Sequence, residues 1–359
     1  MIRFTALQFR AQAAVALVAL LIAAVVLAVT GPHLLHLYDT IVATCAAHGD
    51  CSTADSNFLA VDHGLQVALN VLIIAVPGII GLFWGAPLVA HELEARTFRL
   101  AWTQGVTRTR WTAVKIACIG LASMAVAGLL SLMVTWWSSP VDRVNLNVFG
   151  TFDQRDIVPI GYAAFAFVLA VTAGVVIRRT LPAMAGTLAV FVFVRIAVTN
   201  WIRPHFMTPL KQVMPLRPST ISGFGSMNGS ALNLFPGSPN IPNAWIFSTQ
   251  IVDKTGHPLT AQYLAKACPS MVAGLSGGPT PPVGVGNGSI SAHPVRAPAA
   301  VNQLLDKCVI KLSATFHEVA SYQPGSRYWP FQWYELGIFV GFSLILVGIS
   351  IWWVRSRLS

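Results

Sequence analysis

The chain has 359 residues, of which 55% are hydrophobic and only 10% are charged, and its formal net charge is +10 at pH 7. Roughly a quarter of the residues of a soluble globular domain are charged, so this composition excludes an ordinary soluble domain and indicates a membrane protein. A strongly basic chain can also indicate nucleic-acid binding. The distribution of the charges along the chain tests this alternative.

Six apolar runs have the length of a membrane helix or nearly so, since about 20 apolar residues cross a bilayer. They predict an all-α polytopic membrane protein with six transmembrane helices, at about 11–32, 64–88, 112–137, 157–177, 180–201 and 333–354. The first run follows Arg3 and Arg10, as in a signal peptide, but it is longer than a signal core, so we expect a retained helix. Arg195 interrupts the fifth run, near an end where a long basic side chain can reach the headgroups.

The segments outside these runs have distinct patterns. Residues 1–10 mix arginines with apolar residues, which predicts an amphipathic helix at the inner membrane surface. Trp136 and Trp137 end the third run and are expected to join an outer aromatic belt. Residues 202–332 predict a loop-rich outer segment between the fifth and sixth helices, with a strand within 244–260 and a helix around 304–312.

The positive charges orient the chain. Six helices place both termini on one side, together with residues 89–115, the Arg178 and Arg179 pair and the tail 355–359. That side carries eleven basic residues but only two acidic ones, whereas the other side carries twelve basic and eleven acidic residues over far more chain. The positive-inside rule makes the first side cytoplasmic. We therefore expect a multi-pass protein of the cell membrane whose charge orients it in the lipid bilayer, with no nucleic-acid partner.

Four of the five cysteines fall on the outer side of this topology. Cys45 and Cys51 lie in the first outer loop, and Cys268 and Cys308 lie in the long outer segment. Four cysteines allow three pairings, of which we predict the local one, Cys45 with Cys51 and Cys268 with Cys308, in an oxidising compartment. Metal binding is the alternative, but no CxxC or clustered Cys/His spacing supports it, and we expect no metal site.

Seven charged residues lie between the second and third apolar runs, in residues 89–117. On a helical wheel, Glu92, Arg96 and Arg99 share one face of residues 92–102, which predicts an amphipathic helix at the inner membrane surface. The alternative is a solvated loop whose basic residues only satisfy the positive-inside rule. Periodicity leaves both open.

The residues of this segment, PLVAHELEARTFRLAWTQGVTRTRWTAVK, resemble the coupling segment of bacterial ABC transporter permeases of the type-2 exporter class. The places of the family pattern are occupied by Glu92, Glu94, Thr97, Thr103, Arg108 and Lys115. The stretches 173–195 and 326–348 are also similar to the family. The resemblance therefore covers the membrane part and is weakest in the long outer segment.

The resemblance implies a cytoplasmic coupling helix between helices 2 and 3, in segment 89–111, that docks an ABC ATPase. It implies two permease copies, identical or different, around a pathway that ATP binding switches from inward-facing to outward-facing. Glu92 and Glu94 are then expected to contact the ATPase, and Phe98 and Trp102 to hold the helix against the membrane. Thr97 and Arg108 complete the expected coupling set.

This sequence contains no GxxxxGK[ST] phosphate loop, so ATP and Mg²⁺ are expected to bind a partner ATPase and this subunit is not expected to be an enzyme or to carry a cofactor. Arg195 and Glu335 are candidate pathway residues. Their alternatives are a snorkelling anchor for Arg195 and, for Glu335, a headgroup-level charge or a pair with Arg327. His33 and His36 have a spacing compatible with a metal, but an interfacial role is favoured.

The predicted function is therefore that of the permease of an ABC exporter for a hydrophobic or amphipathic small molecule, such as a drug, an antibiotic or a lipid-like compound. One alternative is a membrane sensor or receptor whose outer segment binds a ligand, although no sizeable cytoplasmic output domain is visible. Another is a membrane enzyme acting on lipids, which would need clustered carboxylates or histidines near a membrane surface. The two acidic residues of the inner side disfavour it.

Overall fold

The computed structural model describes residues 2–45, 51–94, 108–226, 232–270 and 299–357. The chain divides into two compact units. The membrane unit consists of Met1–Met207 and Ser326–Ser359, and the inserted unit consists of Thr208–Gly325. Each is described by itself.

The prediction of six membrane helices is confirmed. Among the described residues, six helical segments are long and apolar enough to cross a membrane, and we number them spans 1 to 6: Phe9–Ala43, His63–His91, Thr109–Asn145, Val148–Ile177, Thr180–His205 and Gly325–Ser356. The end of the bundle where span 4 ends and span 5 begins is called the inner end, after the orientation expected from the charges. The opposite end, where span 5 ends and span 6 begins, is the outer end.

The helices are longer than their apolar cores, because polar residues at both ends continue them. In chain order the α-helices are α1 Ile2–Leu37, α2 Ser52–Ala60, α3 His63–Ile80, α4 Ala86–Glu94, α5 Arg108–Asn145, α6 Val158–Ile177, α7 Thr180–Ala197, α8 Ala261–Ala267, α9 Ala299–Leu312 and α10 Tyr328–Arg357. Three π-helical turns extend or join them: Tyr38–Ala43, Gly81–Gly85 and Val198–Ile202. A 3₁₀ helix, Val148–Gln154, precedes α6, and another, Arg203–His205, ends span 5.

The N-terminal residues form no separate surface helix in this structure. Residues 1–10 are expected to be an amphipathic helix, but α1 runs from Ile2 into span 1 without a break. The side chains of residues 1–8 lie outside the described part. At residues 9 and 12, where description resumes, Phe9 packs edge-on against Trp84 at 4.7 Å, and Gln12 donates a hydrogen bond to the Phe83 carbonyl. Both contacts hold the start of span 1 against the π turn of span 2.

Helix α6 is the centre of the membrane unit, with 15 of its 20 residues buried. Its neighbours approach closely because glycine and alanine leave room for their backbones. A β-carbon added at Gly81 would lie 2.8 Å from the Ala166 carbonyl oxygen, and one added at Gly85 would lie 2.6 Å from that of Phe167. Span 2 and α6 are therefore in backbone contact.

The all-α prediction is wrong for the inserted unit. Strands β1 Leu210–Pro215, β4 Trp245–Asp253 and β5 Phe316–Gln323 form an antiparallel sheet in the order β1-β5-β4, and β2 Ile221–Ser226 pairs with β3 Leu232–Pro236. The predicted strand and helix are present as β4 and α9. Strands β1, β2, β3 and β5 were not predicted; β5 follows α9 and alternates buried with half-buried residues.

The inserted unit has its own core around a disulfide. The structure joins Cys268 to Cys308 there, and Cys45 to Cys51 in the membrane unit, which are the local pairs expected from the sequence. Cys268 and Cys308 are buried among the apolar side chains of β3, β4, α8 and α9, chiefly Leu234, Ile251, Leu264, Leu305 and Val309. The disulfide thus ties α9 to the end of α8 inside the core.

One carboxyl group is buried in the same unit. Glu318 lies on β5 between the buried residues Phe316 and Ala320, and the Thr220 hydroxyl donates a hydrogen bond to it. Burial raises the pKa of the Glu318 carboxyl, and the bond from Thr220 opposes that rise only in part.

Candidate functional site

Three helices meet at the inner end of the membrane unit. Helix α6 ends at Ile177, where Arg178 adopts a left-handed conformation (φ 59°) and donates its backbone N–H to the Gly174 carbonyl. Arg179 is extended, and α7 begins at Thr180. Two residues therefore join spans 4 and 5, as a tight hairpin, and α4 packs against this hairpin at its turn.

An alanine core holds the three helices together. Ala86 of α4, Ala170 of α6 and Ala183 of α7 are fully buried and pack as one cluster, with Ala173 and Met184 beside it. A β-carbon added at Gly174 would lie 3.0 Å from the Ala86 carbonyl oxygen. Side chains this small bring the helix axes close together and leave little room for one helix to slide past another. We call this arrangement the α4–α6–α7 corner.

Glu94, the last residue of α4, binds the first residue of α7. The Thr180 backbone N–H donates to Glu94 Oε1 at 3.0 Å, and the Thr180 hydroxyl donates to Glu94 Oε2 at 2.7 Å. The first N–H groups of a helix have no partner inside it, and a carboxylate at this position also interacts favourably with the helix dipole. Arg179 makes no side-chain cap in the described structure. Glu94 therefore caps α7 from a different helix.

The charged state of Glu94 is favoured by this position. The hydroxyl and the backbone N–H of Thr180 both lower the pKa of its carboxyl, and the nearby His91 and Arg179 lower it further. The carboxylate is therefore charged at neutral pH and has both of its oxygens engaged. A contact of Glu94 with an ATPase, as expected from the sequence, would therefore compete with its hydrogen bonds to Thr180.

The rest of the expected coupling set lies largely outside the described residues. Thr97, Phe98 and Trp102 fall within 95–107, and the side chains of Glu92 and Arg108 are also outside the description. The backbone of Glu92 belongs to α4, which continues span 2 as a helix down to residue 94. Lys115, one of the family positions, is buried, with its ammonium nitrogen 4.4 Å from the centre of the Trp111 ring. It lies one turn beyond Trp111 on α5.

A second polar cluster lies at the outer end, between spans 4, 5 and 6. Arg203 donates two hydrogen bonds to Glu335, from Nε to Oε2 at 2.7 Å and from Nη2 to Oε1 at 2.8 Å, and it forms a further ion pair with Asp153. The Tyr162 hydroxyl lies 2.5 Å from Glu335 Oε1 and 2.7 Å from Asp153 Oδ1. Arg195 stacks over the Tyr162 ring at 3.9 Å. We call these five residues the outer ionic network.

The network corrects two readings of the sequence. Arg195 does not reach outward as an anchor but turns into the bundle, with Nη2 3.8 Å from Asp153 and Nη1 buried without a hydrogen-bond partner among the described residues. Glu335 does not pair with Arg327 but is fully buried against Arg203. The two candidate pathway residues therefore belong to one cluster, with two cations and two carboxylates that compensate each other.

Hydropathy alone does not identify three members of the network as candidate site residues. Asp153 looks like a loop residue before the fourth run, Tyr162 like an ordinary apolar-run residue, and Arg203 like the first polar residue after the fifth run. Their common signal is position, since each lies within a few residues of the outer end of an apolar run. To predict contacts from these positions, one would need to know how each helix is rotated about its axis, and an apolar run does not specify that rotation.

Span 6 also holds the 3₁₀ helix that precedes α6. Gln332 donates to the Phe152 carbonyl at 3.1 Å and accepts the Val158 N–H at 3.1 Å, and the Tyr328 hydroxyl donates to Asp156 at 2.5 Å. The Phe149 ring stacks on Phe152 and meets Phe331 edge-on, and Tyr328 packs edge-on against Phe152. The outer start of span 4 is thus hydrogen-bonded to span 6, whereas its inner end is held against span 2 by close packing.

A family model described as ABC-2 membrane transporter related matches residues 17–203, which is just over half of the chain. This chain belongs to the ABC-2 membrane transporter related family. The match confirms the resemblance seen in the sequence, and it identifies the chain as an ABC transporter permease whose family implies an ABC ATPase partner. No curated protein and no solved structure shows a significant match.

The matched region runs from span 1 to Arg203 and includes the α4–α6–α7 corner and four of the five network residues. Span 6, with Glu335, and the inserted unit lie beyond it. Membership of this family favours transport over the sensor and the lipid-enzyme alternatives. Among the described residues, no group of three or more histidine, cysteine, aspartate or glutamate side chains could hold a metal ion.

Proposed function

We propose that this chain is the permease subunit of an ATP-driven exporter that moves a hydrophobic or amphipathic small molecule out across the cell membrane. The observation that carries the proposal is the family match, which spans the first five membrane helices and the segment between spans 2 and 3. Because the sequence has no phosphate loop, ATP and Mg²⁺ bind a partner ATPase, and the permease itself catalyses no hydrolysis.

The apolar surface of span 5 supports pairing with a second permease copy. Helix α7 buries only Ala183, Thr187 and Phe191, whereas Leu181 and Phe193 are among several large apolar side chains that it exposes. Within one copy this surface has no polar stripe that would line an aqueous pore. A second copy, identical or different, placed against it would enclose an apolar pathway.

The charges of the outer ionic network support the proposed substrate class. The outer ionic network pairs each of its carboxylates with an arginine inside one copy, so the network itself offers a substrate little uncompensated charge. A lipid-like or drug-like compound would bind such a pathway by burial of apolar surface. The positive-inside distribution supports cytoplasmic termini and a cytoplasmic coupling segment, which suits export driven from the cytoplasm.

Reconstitution with an ABC ATPase tests the proposal. The permease is co-expressed with candidate ABC ATPases, and any complex that co-purifies is placed in inside-out vesicles with fluorescent amphiphiles. We expect ATP-dependent accumulation of at least one amphiphile and faster ATP hydrolysis in its presence. A complex whose ATPase carries a substituted phosphate-loop lysine is the control. Failure of every candidate ATPase to co-purify, or ATP-dependent movement in the opposite direction, would overturn the export assignment.

A further inference from the structure

The α4–α6–α7 corner determines which helices can follow the coupling segment when it moves. That segment, 89–111, includes the end of α4, so a force on it reaches span 2 through residues 86–94 and span 3 through the start of α5. The question is whether α4 moves alone, as an extension of span 2, or together with the helices it contacts. Three separate features of the corner bear on this.

The first feature is the contact between α4 and α6. Ala86 and Ala90 lie close against Gly174. A β-carbon added at Gly174 would be 3.0 Å from the Ala86 carbonyl oxygen and 3.4 Å from the Ala90 side chain. One turn earlier, Gly85 meets Phe167 and Ala170 in the same way. Backbones in this kind of contact can shift along each other only if they first separate, because no flexible side chain lies between them.

The second feature is the two-residue connection between α6 and α7. Arg178 and Arg179 leave no slack between the helices, and Ala183 of α7 is fully buried against Ala86 and Ala170. A displacement of the inner end of α6 is therefore passed to the start of α7 by the chain itself.

The third feature is the bond from Glu94 to Thr180, which closes the corner from the side of the coupling segment. It joins residues 86 positions apart in sequence through both carboxylate oxygens. Glu94 is the last residue of α4 and lies within the coupling segment, and Thr180 is the first residue of the helix whose exposed apolar face lines the proposed pathway. The bond is thus a direct polar connection between the coupling segment and span 5.

We propose that Glu94 is a positioning residue that clamps the coupling segment to Thr180, so that α4, the inner end of α6 and the start of α7 move as one rigid body during transport. In this mechanism the motion of the ATPase reaches span 5 through the bond from Glu94 to Thr180. Glu94 then acts within the permease rather than on the ATPase surface. The inference rests on the proposed function and assigns a role to one of its coupling residues.

The clamp is tested first by loss and covalent restoration. Glu94→Cys and Thr180→Cys are combined in a Cys118→Ala background, and the pair is bridged with a short bis-methanethiosulfonate reagent in the complex with the ATPase. Before bridging, we expect substrate-stimulated ATP hydrolysis to fall about three- to tenfold, since charge-assisted hydrogen bonds at an exposed site are lost. Bridging should restore it to within about twofold of the parent.

Two outcomes of this experiment overturn the proposal. If the bridged complex is inactive, the contact has to open during the cycle and the corner is not one rigid body. If the unbridged double variant is already as active as the parent, the bond does not couple the two helices. Each single-cysteine variant treated with the same reagent is the control for modification of one thiol.

Conservative variants separate positioning from folding. Thr180→Ser keeps the hydroxyl and should behave like the parent, whereas the nearly isosteric Thr180→Val removes it and should lower the stimulated rate but leave basal ATP hydrolysis unchanged. Glu94→Leu should have the larger effect, and Glu94→Gln an intermediate one. Equal stimulated rates for Thr180→Ser and Thr180→Val would contradict the clamp, as would a parallel loss of basal hydrolysis in every variant.

The cap is also measurable without the ATPase, which separates this inference from the proposed function. In the purified full-length permease, Glu94→Leu should accelerate hydrogen exchange of the first-turn amides of α7, those of Thr180, Leu181 and Ala183, and leave the first turn of α6 unchanged. Unchanged exchange at these amides would overturn the clamp even if the chain proves to be an exporter. Faster exchange together with no stimulation of any ATPase by the parent would leave the cap in place and refute the transport role.

Discussion

Arg203, at the end of span 5, donates two hydrogen bonds to the fully buried carboxylate of Glu335 on span 6, with nitrogen–oxygen distances of 2.7 and 2.8 Å. Such a two-point contact is the strongest geometry available to an arginine and a carboxylate. Removal of one member leaves the other as a buried charge without its main partner, which costs more than the pair itself contributes. The pair is therefore a sensitive point of the membrane unit.

We expect Glu335→Ala to destabilise the full-length protein by about 3–5 kcal/mol, since Arg203 would lose both of its hydrogen bonds to Glu335 and remain a buried cation. The measurement is the unfolding temperature of the detergent-solubilised protein. Asp306→Ala, on the exposed surface of α9, is the control and should change it little. Equal shifts for the two variants would contradict the assignment of Glu335 to a buried network.

Gly85 is expected to tolerate no β-carbon. In Gly85→Ala the new methyl group would lie 2.6 Å from both the Phe167 carbonyl oxygen and the Ala170 side chain, so span 2 has to separate from α6, at a cost of about 1–3 kcal/mol. At Gly348, on α10, a β-carbon meets nothing within 4 Å, and Gly348→Ala should be neutral or stabilising by up to about 1 kcal/mol. Unfolding temperatures of the two variants should move in opposite directions or differ clearly in size. A stable Gly85→Ala protein would show that the close approach is wrong.

The two disulfides should differ in what they contribute. Cys268 and Cys308 are 40 residues apart and Cys45 and Cys51 only 6, so loop-closure entropy predicts about 4 kcal/mol for the first bond and about 2 kcal/mol for the second. The double serine variant at 268 and 308 should show faster hydrogen exchange throughout β4, β5 and α9. The double variant at 45 and 51 should leave those elements unchanged. Identical exchange in both variants would argue against the disulfide as a support of the inserted unit.

Glu318 should make the inserted unit less stable as the pH rises. Its pKa is raised above the ordinary value of 4.5, so the folded state prefers the neutral carboxyl. Stability is therefore highest at low pH and falls as the pH rises from the ordinary value through the raised one. Glu318→Gln, which retains an acceptor for Thr220, should abolish this slope. The check is hydrogen exchange of β5 in the full-length protein at several pH values, corrected for intrinsic exchange rates. A slope that persists in the glutamine variant would assign it to another group.

The membrane helices and the family could be derived from the sequence because both depend on local patterns. Transfer of an apolar run from water to lipid depends on the composition of that run, so six spans are visible in hydropathy alone. The coupling segment is visible because its family pattern is contiguous. The local disulfide pairs, β4 and α9 could be anticipated in the same way, since each depends on spacing within a few tens of residues.

The side-chain contacts between helices could not be derived in that way, and two neighbouring tryptophans show why. Trp136 and Trp137 were both expected in an aromatic belt. Trp136 is 57% exposed, whereas Trp137 is 2% exposed and donates its indole N–H to the Thr30 hydroxyl of span 1. Adjacent residues on a helix point about 100° apart, so the rotation of α5 against α1 decides which of them enters the core.

The same reason separates what the sequence determined about this protein from what only the tertiary structure decided. Hydropathy and the contiguous motif determined the six spans and the permease family. Only the packed structure made α6 the central helix, turned Arg195 and Glu335 into one compensated network, and gave Glu94 a partner in Thr180. Burial in lipid is a property of each run by itself. Helix rotation and register are set by close packing between small residues far apart in the chain, and no single run contains that information.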